Sequence, residues 1–239
     1  MKRKEQAAPV SRQTELAGAI LATCLRLNAL GLNQGASGNI SVRVDPGHFV
    51  ITPSGMPYDS MGPHDLPVMD FQGRWFGPCR PSTEWRFHRD ILKSRPEVNV
   101  VLHTHSMFST VIACQREGIP AFHYMIGVSG GDSIRCAPYA TFGTQALSDH
   151  ALKALEGRRA CLLANHGLIC LGANLEAALG LAVEVETLAA MFVRVRQMGA
   201  PKLLHKAEMA RVIELFGAYG TPEFPDAELV RAGEAWGGA

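Results

Sequence analysis

The chain has 239 residues, 47% of them hydrophobic and 19% charged, a balance that describes an ordinary globular protein with one large core. Lys and Arg number 23 against 22 Asp and Glu, a formal net charge of +1, so no chain-wide field attracts nucleic acid or an anionic membrane, and an anionic ligand must be held locally. No apolar run approaches the ~18 residues of a membrane span, and the six scattered cysteines, without a CxxC pair, fit reduced and mostly buried thiols of a cytoplasmic protein.

Met1 to Ser11 is basic and polar with no apolar stretch behind it, and residues 1–12 read as a flexible lead rather than a signal peptide. Leu16, Ile20, Leu21, Cys24, Leu27 and Leu30 follow a helical period, so a helix is expected over Thr14 to Leu30 with Gly31 as its stop. Gly35 to Asn39 is a turn-rich loop leading into a strand at Ile40 to Val44, and Asp45-Pro46-Gly47 predicts a hairpin into His48 to Thr52. Short strands are expected at Leu66 to Phe71 and Arg74 to Phe76. A helix capped by Ser82 should run to about Ser94. Val98 to His103 reads as a buried strand, Ser106 to Gln115 as a helix, and Ala160 to Ala164 as another buried strand that continues through Ile169 to Leu171. Asn174 to Gly199 is the longest predicted helix, Ala207 to Tyr219 forms one more, and 221–239 is a Pro- and Gly-rich tail. No repeat or linker divides residues 1–239, and strands that come in hairpins predict one α/β domain with a mixed or mostly antiparallel sheet flanked by helices.

His103-Thr104-His105 stands at the end of an apolar run, where residues at i and i+2 share a face. Neutral imidazole is a common ligand for divalent metals, although an HxH alone serves equally as two polar residues at a strand end. His166 at a second strand end and Glu84 at a helix start supply what a tetrahedral site lacks, and a ligand carboxylate able to leave the metal is also a general base. Asn39, Ser54, Gly55, Ser82 and Thr83 offer hydroxyls, backbone N–H groups and a helix N-terminus, a set suited to phosphate. Each has a structural reading too: Ser82 as a helix cap, Glu84 as a solvated first-turn carboxylate, His166 as a turn residue. His88, four residues after Glu84, is read as a packing or supporting residue because three histidines already fill the site.

Gly31 to Ser41, Ile51 to Gly55, Pro81 to His88, His103 to His105, Phe122 to Met125, Cys136 to Gly143 and Asn165 to Gly167, in that order, resemble the class II aldolase/adducin family, and within it the aldolases acting on L-fuculose 1-phosphate. The resemblance covers roughly residues 14–220. It implies a zinc-dependent lyase, with Mn2+ or Co2+ as other metals it could use, built on a mostly antiparallel sheet between helix layers and assembled as a homotetramer with active sites between subunits. It further implies His103, His105, His166 and Glu84 as metal ligands, Glu84 as base, and Asn39, Ser54, Gly55, Ser82 and Thr83 around the substrate phosphate. Tyr124 of the adjacent subunit would be the acid at the aldehyde oxygen, and Phe142, Phe216 and Tyr219 would line the aldehyde end.

The implied reaction breaks the C3–C4 bond of a ketose 1-phosphate, giving dihydroxyacetone phosphate and an aldehyde. Thr83 in place of a second Ser, Asn165 before the third histidine, and the longer tail depart from the family pattern. They bear on which aldehyde is released, so a 5-deoxy- or 5-methylthio-pentulose 1-phosphate stands beside L-fuculose 1-phosphate. Dehydratase, 4-epimerase and decarboxylase members are the alternatives, with a non-catalytic adducin-like module as the reading from another class.

Overall fold

The computed structural model describes residues 8–218. Eight strands, β1 (Asn39–Asp45), β2 (His48–Ile51), β3 (Val68–Asp70), β4 (Trp75–Phe76), β5 (Val100–Thr104), β6 (Arg135–Ala137), β7 (Ala160–Leu163) and β8 (Gly167–Gly172), form one sheet in the order β4-β3-β2-β1-β5-β8-β7-β6. Every neighbouring pair is antiparallel except β6 and β7. The exception has a cause: helix α4 (Gln145–Ala154) lies between those two strands and supplies the long crossover that a parallel pair needs.

Strand alternation sorts the core onto two faces. Val100 and Leu102 of β5 and Leu168 and Cys170 of β8 point to one side, beneath α1 (Ala8–Ala29), α3 (Met107–Cys114) and α5 (Leu175–Met198). Val101, Ile169 and Leu171 point to the other, beneath α2 (Trp85–Ser94) and α4. The result is the expected sheet between helix layers, completed by α6 (Lys206–Ala218). Fully buried Phe87 seats α2 on the sheet, and truncation of such a residue to Ala costs about 3–5 kcal/mol. No helix among the described residues is long and apolar enough to cross a membrane.

Several expected boundaries move. Helix α1 starts at Ala8, with Pro9 in its first turn where a missing N–H costs nothing, so residues 8–12 belong to it. Gly31, at φ +69°, does close it, and Leu32 N–H reaches the Leu27 carbonyl at 2.9 Å. Ser82 is not the cap of α2: Glu84 occupies that position, and Ser82 Oγ instead accepts the Glu84 N–H at 3.2 Å. The segment from Ala160 to Leu171 is not one strand. Asn165, at φ +54°, reverses the chain, and β8 returns antiparallel to β7. Strand β6, helix α4 and a short 3-10 helix at Tyr124–Ser129 were not expected.

Candidate metal and catalytic site

Residue His103 lies on β5 on the α2 side of the sheet, fully buried. Its Nδ1 donates to the Leu168 carbonyl of neighbouring β8 at 3.0 Å, which fixes the tautomer and leaves the Nε2 lone pair facing outward. His105 follows just past the strand end, its Nε2 3.1 Å from that of His103. His166 comes from the β7–β8 turn that Asn165 creates. Its ring centroid is 4.8 Å from that of His103 and 5.0 Å from that of His105, and the three rings are inclined to one another at 75–76°. The ligand atoms of all three lie within 4.8 Å of one another.

Across from them, at the start of α2, Glu84 places Oε2 3.2 Å from His103 Nε2 and Oε1 3.3 Å from His166 Nε2. Burial drives the His103 imidazole down to about 3, aided by repulsion from His105, and the His166 imidazole down to about 4; His105 is lowered for the same first reason. Three neutral imidazoles therefore face a buried carboxylate that, among the described residues, has no lysine or arginine paired with it. Glu84 Oε1 is also buried with no hydrogen-bond partner among the described residues. A divalent cation is what this donor set fits: it satisfies the orphaned oxygen, balances the carboxylate, and takes the imidazoles in the protonation state burial already imposes.

A cleft of about 330 Å³ opens beside these groups. Asn39, Ser54, Gly55, Ser82 and Thr83 all line it, together with Glu84, His105 and His166. A bridge between Pro53 and Pro81 clamps the two loops together. That clamp engages the N–H groups of Ser54 and Ser82, which donate to the carbonyls of Arg80 and Thr52 at 3.0 Å. Those two N–H groups, expected to be available to an anion, are thus occupied, and the exposed hydroxyls of Ser54 and Thr83 and the exposed backbone of Gly55 face the cleft beside Asn39 and Ser82. Gly38 closes the floor so tightly that an added Cβ would sit 2.6 Å from the His103 carbonyl oxygen.

Phe142 forms part of the opposite wall and is 64% exposed. Tyr139 stands with it, a residue the sequence reading did not select although it lies in the Pro138 to Gly143 motif. Arg86 anchors this wall by donating to the Gly143 carbonyl at 2.6 Å. Tyr124 and Phe216 are elsewhere: they stack on each other at 6.3 Å and 6°, and neither lines the cleft of its own chain. Tyr219 lies outside the described residues. The sequence reading also missed Ser41, whose Oγ is 2.7 Å from Nδ1 of the buried His88, itself 2.5 Å from Asn39 through Nε2. Its signal was the polar alternation Asn39, Ser41, Arg43 along one face of a strand.

The family model described as the class II aldolase and adducin N-terminal domain matches residues 18–193. The chain belongs to that family. Among curated relatives of this class II aldolase family member, a 5-methylthioribulose-1-phosphate/5-deoxyribulose-1-phosphate aldolase of Rhodospirillum rubrum is 53% identical over 195 residues, 82% of this chain and 88% of the relative. An L-fuculose phosphate aldolase of Escherichia coli is 46% identical over 209 residues, 87% of this chain and 97% of the relative. A solved structure named L-fuculose 1-phosphate aldolase superposes with a TM-score of 0.82 at 37% identity, covering 85% of this chain and 96% of that one. Class II aldolases are metal-dependent, and the three-histidine cluster gives this chain a place for the cation.

Proposed function

We propose that the chain is an aldolase that cleaves a ketose 1-phosphate reversibly into dihydroxyacetone phosphate and an aldehyde, using a divalent metal held by His103, His105, His166 and Glu84. The observation that carries this reading is Glu84: a buried carboxylate against two imidazoles, with one oxygen unpaired, beside a cleft lined with small polar groups. Three imidazoles and a carboxylate favour Zn2+, and Mn2+ or Co2+ suit the same donors. When bound, the cation supplies Lewis acidity that lowers the cost of negative charge developing on the substrate carbonyl oxygen.

The chain's own residues do the rest. Asn39, Ser54, Gly55, Ser82 and Thr83 hold the phosphate, with the N-terminal end of α2 adding its positive dipole. This fixes the three-carbon half of the substrate beside Glu84. In the condensation direction Glu84, as the carboxylate, takes a proton from C3 of dihydroxyacetone phosphate, and the electron pair freed there forms the C3–C4 bond to the aldehyde carbon; cleavage is the reverse, the same proton returning from Glu84 to C3 after C3–C4 breaks. Tyr124 of a neighbouring subunit handles the proton of the aldehyde oxygen, donating it in the condensation direction. A homotetramer with sites between subunits accounts for Tyr124, which is half-exposed and outside its own chain's cleft. Phe142 borders the aldehyde, and Phe216, stacked on Tyr124, reaches it with Tyr219 from the neighbouring subunit. We assign the enzyme to the cytoplasm, in line with its free cysteines.

The Rhodospirillum relative's name points to 5-methylthio- and 5-deoxy-ribulose 1-phosphates as the substrates. The test is kcat/KM for 5-methylthioribulose 1-phosphate, 5-deoxyribulose 1-phosphate and L-fuculose 1-phosphate under one set of conditions. The pentulose phosphates should be preferred; preference for L-fuculose 1-phosphate would reassign the substrate and leave the chemistry intact.

A further inference from the structure

Strand β1 carries a polar face into the protein interior. Asn39, Ser41 and Arg43 alternate along it and are covered by α2. Arg43 ends on backbone carbonyls, those of Leu92, Arg95 and Val98, so its role is to tie the strand to the C-terminal end of α2 and the turn that follows. Ser41 and Asn39 do something else. Both meet His88, and the contacts continue to Glu84 Oε2, which accepts from Asn39 Nδ2 at 2.9 Å.

The direction of this chain of contacts can be deduced link by link. A carboxylate oxygen only accepts, so the amide of Asn39 must turn its NH2 to Glu84; the opposite orientation would press two oxygens together. Asn39 Oδ1 then accepts, and its partner at 2.5 Å, His88 Nε2, must carry a hydrogen. His88 is fully buried, and burial pushes its imidazole well below the ordinary range, so the ring is neutral and carries only that one proton. Nδ1 is consequently an acceptor, and the Ser41 hydroxyl at 2.7 Å must donate to it. Phe87 stacks on the His88 ring at 4.6 Å and 27°, which holds its plane.

We infer that Ser41 and His88 are positioning residues that act through Asn39 to hold Glu84 Oε2 by a one-way relay of hydrogen bonds, leaving Oε1 as the oxygen that exchanges partners during turnover. The inference rests on the reading of Glu84 as the base. Ser41, His88, Asn39 and Glu84 are all buried, so water does not substitute for a missing link.

The test joins a spectroscopic readout to kinetics on the metal-loaded enzyme. Long-range proton–nitrogen NMR on protein labelled with 15N-histidine, with His88 assigned by its loss in His88→Phe, should show the Nε2–H tautomer; an Nδ1–H tautomer overturns the relay. His88→Phe should lower kcat about 10- to 100-fold with KM little changed. His88→Gln, whose side-chain amide can both donate to Asn39 and accept from Ser41, should recover most of that loss. Ser41→Ala, a smaller change that spares the packing, should release the tautomer preference and lower kcat by less than His88→Phe. Wild-type kcat in His88→Phe, or a loss that His88→Gln does not recover, overturns the positioning role. Near-normal turnover in Glu84→Gln would instead remove the base reading, and the His88 tautomer still decides the relay by itself.

Discussion

Glu84 Oε2 stands 3.2 Å from His103 Nε2, and that contact joins the residue just before α2 to the penultimate residue of β5. The neighbouring oxygen, Oε1, has no hydrogen-bond partner among the described residues although it is buried. Leaving such a group unpaired costs on the order of several kcal/mol for a charge, so a cation that completes it stabilises the arrangement.

Removal of His103 should therefore abolish stoichiometric metal. In His103→Ala the Leu168 carbonyl loses its donor and the cluster loses its only fully buried ligand. Elemental analysis of the purified variant should find far less than one metal per subunit, and a variant that keeps one metal per subunit contradicts the ligand assignment.

Gly167→Ala should loosen the same cluster without replacing a ligand. An added Cβ would collide with the Thr104 carbonyl oxygen and approach His105 Cδ2 at 3.0 Å and His103 Cε1 at 3.2 Å. Overpacking of this kind costs roughly 1–3 kcal/mol. A lowered Tm together with weaker metal retention during dialysis is expected; an unchanged Tm would mean that the β7–β8 turn yields more readily than its contacts suggest.

Stability of the metal-free protein should depend on pH in a defined window. His103 and His166 sit at about 3 and about 4 in the folded chain, against roughly 6.5 when unfolded. Their folded values are depressed, so below about 6.5 the unfolded chain binds protons that the folded chain does not. Stability is thus full above that pH and falls as pH drops toward about 4, and urea midpoints of chelated protein should be flat above neutrality and decline steadily beneath it. Midpoints that hold constant from about 7 to 5 would show that these rings protonate without penalty. Loaded protein should release its metal over the acid range, because the ligands must be deprotonated to bind.

How much of this was readable in the residues depended on whether a signal was local. His103 and His105 could be paired from strand alternation alone, and Glu84 with Ser82 and Thr83 from a helix start. The position of His166 was harder. Ala160 to Leu171 is apolar on both sides of the turn, and a hairpin buried on two faces has the same pattern as one long strand; the left-handed Asn165 decides between them. Helix α4 buries small residues, Ala151 and Ala154 beside Leu147, which leaves little amphipathic contrast. Ser41 lies on the polar face of a hairpin strand, and alternation cannot reveal that α2 covers that face. Tyr124 had no local mark beyond family resemblance, since its proposed role lies on another chain.

Tyr124 gives that proposal a direct check. Tyr124→Phe should leave Tm and metal content unchanged, as the side chain is 51% exposed, while turnover falls about 100- to 10,000-fold. Hybrids refolded from Tyr124→Phe and Glu84→Gln subunits should regain about a quarter of wild-type activity if each site draws on two chains. No recovery in the mixture would place both residues of a working site in one subunit.

The central claim is tested most directly by coupled assay of dihydroxyacetone phosphate release from 5-methylthioribulose 1-phosphate and L-fuculose 1-phosphate, run on metal-loaded enzyme, chelated enzyme and metal-loaded Glu84→Gln. Release should occur with loaded enzyme, disappear on chelation, return when metal is restored, and fall at least about 100-fold in Glu84→Gln. No release from either ketose phosphate by the loaded enzyme, or near-normal release by Glu84→Gln, would contradict the account.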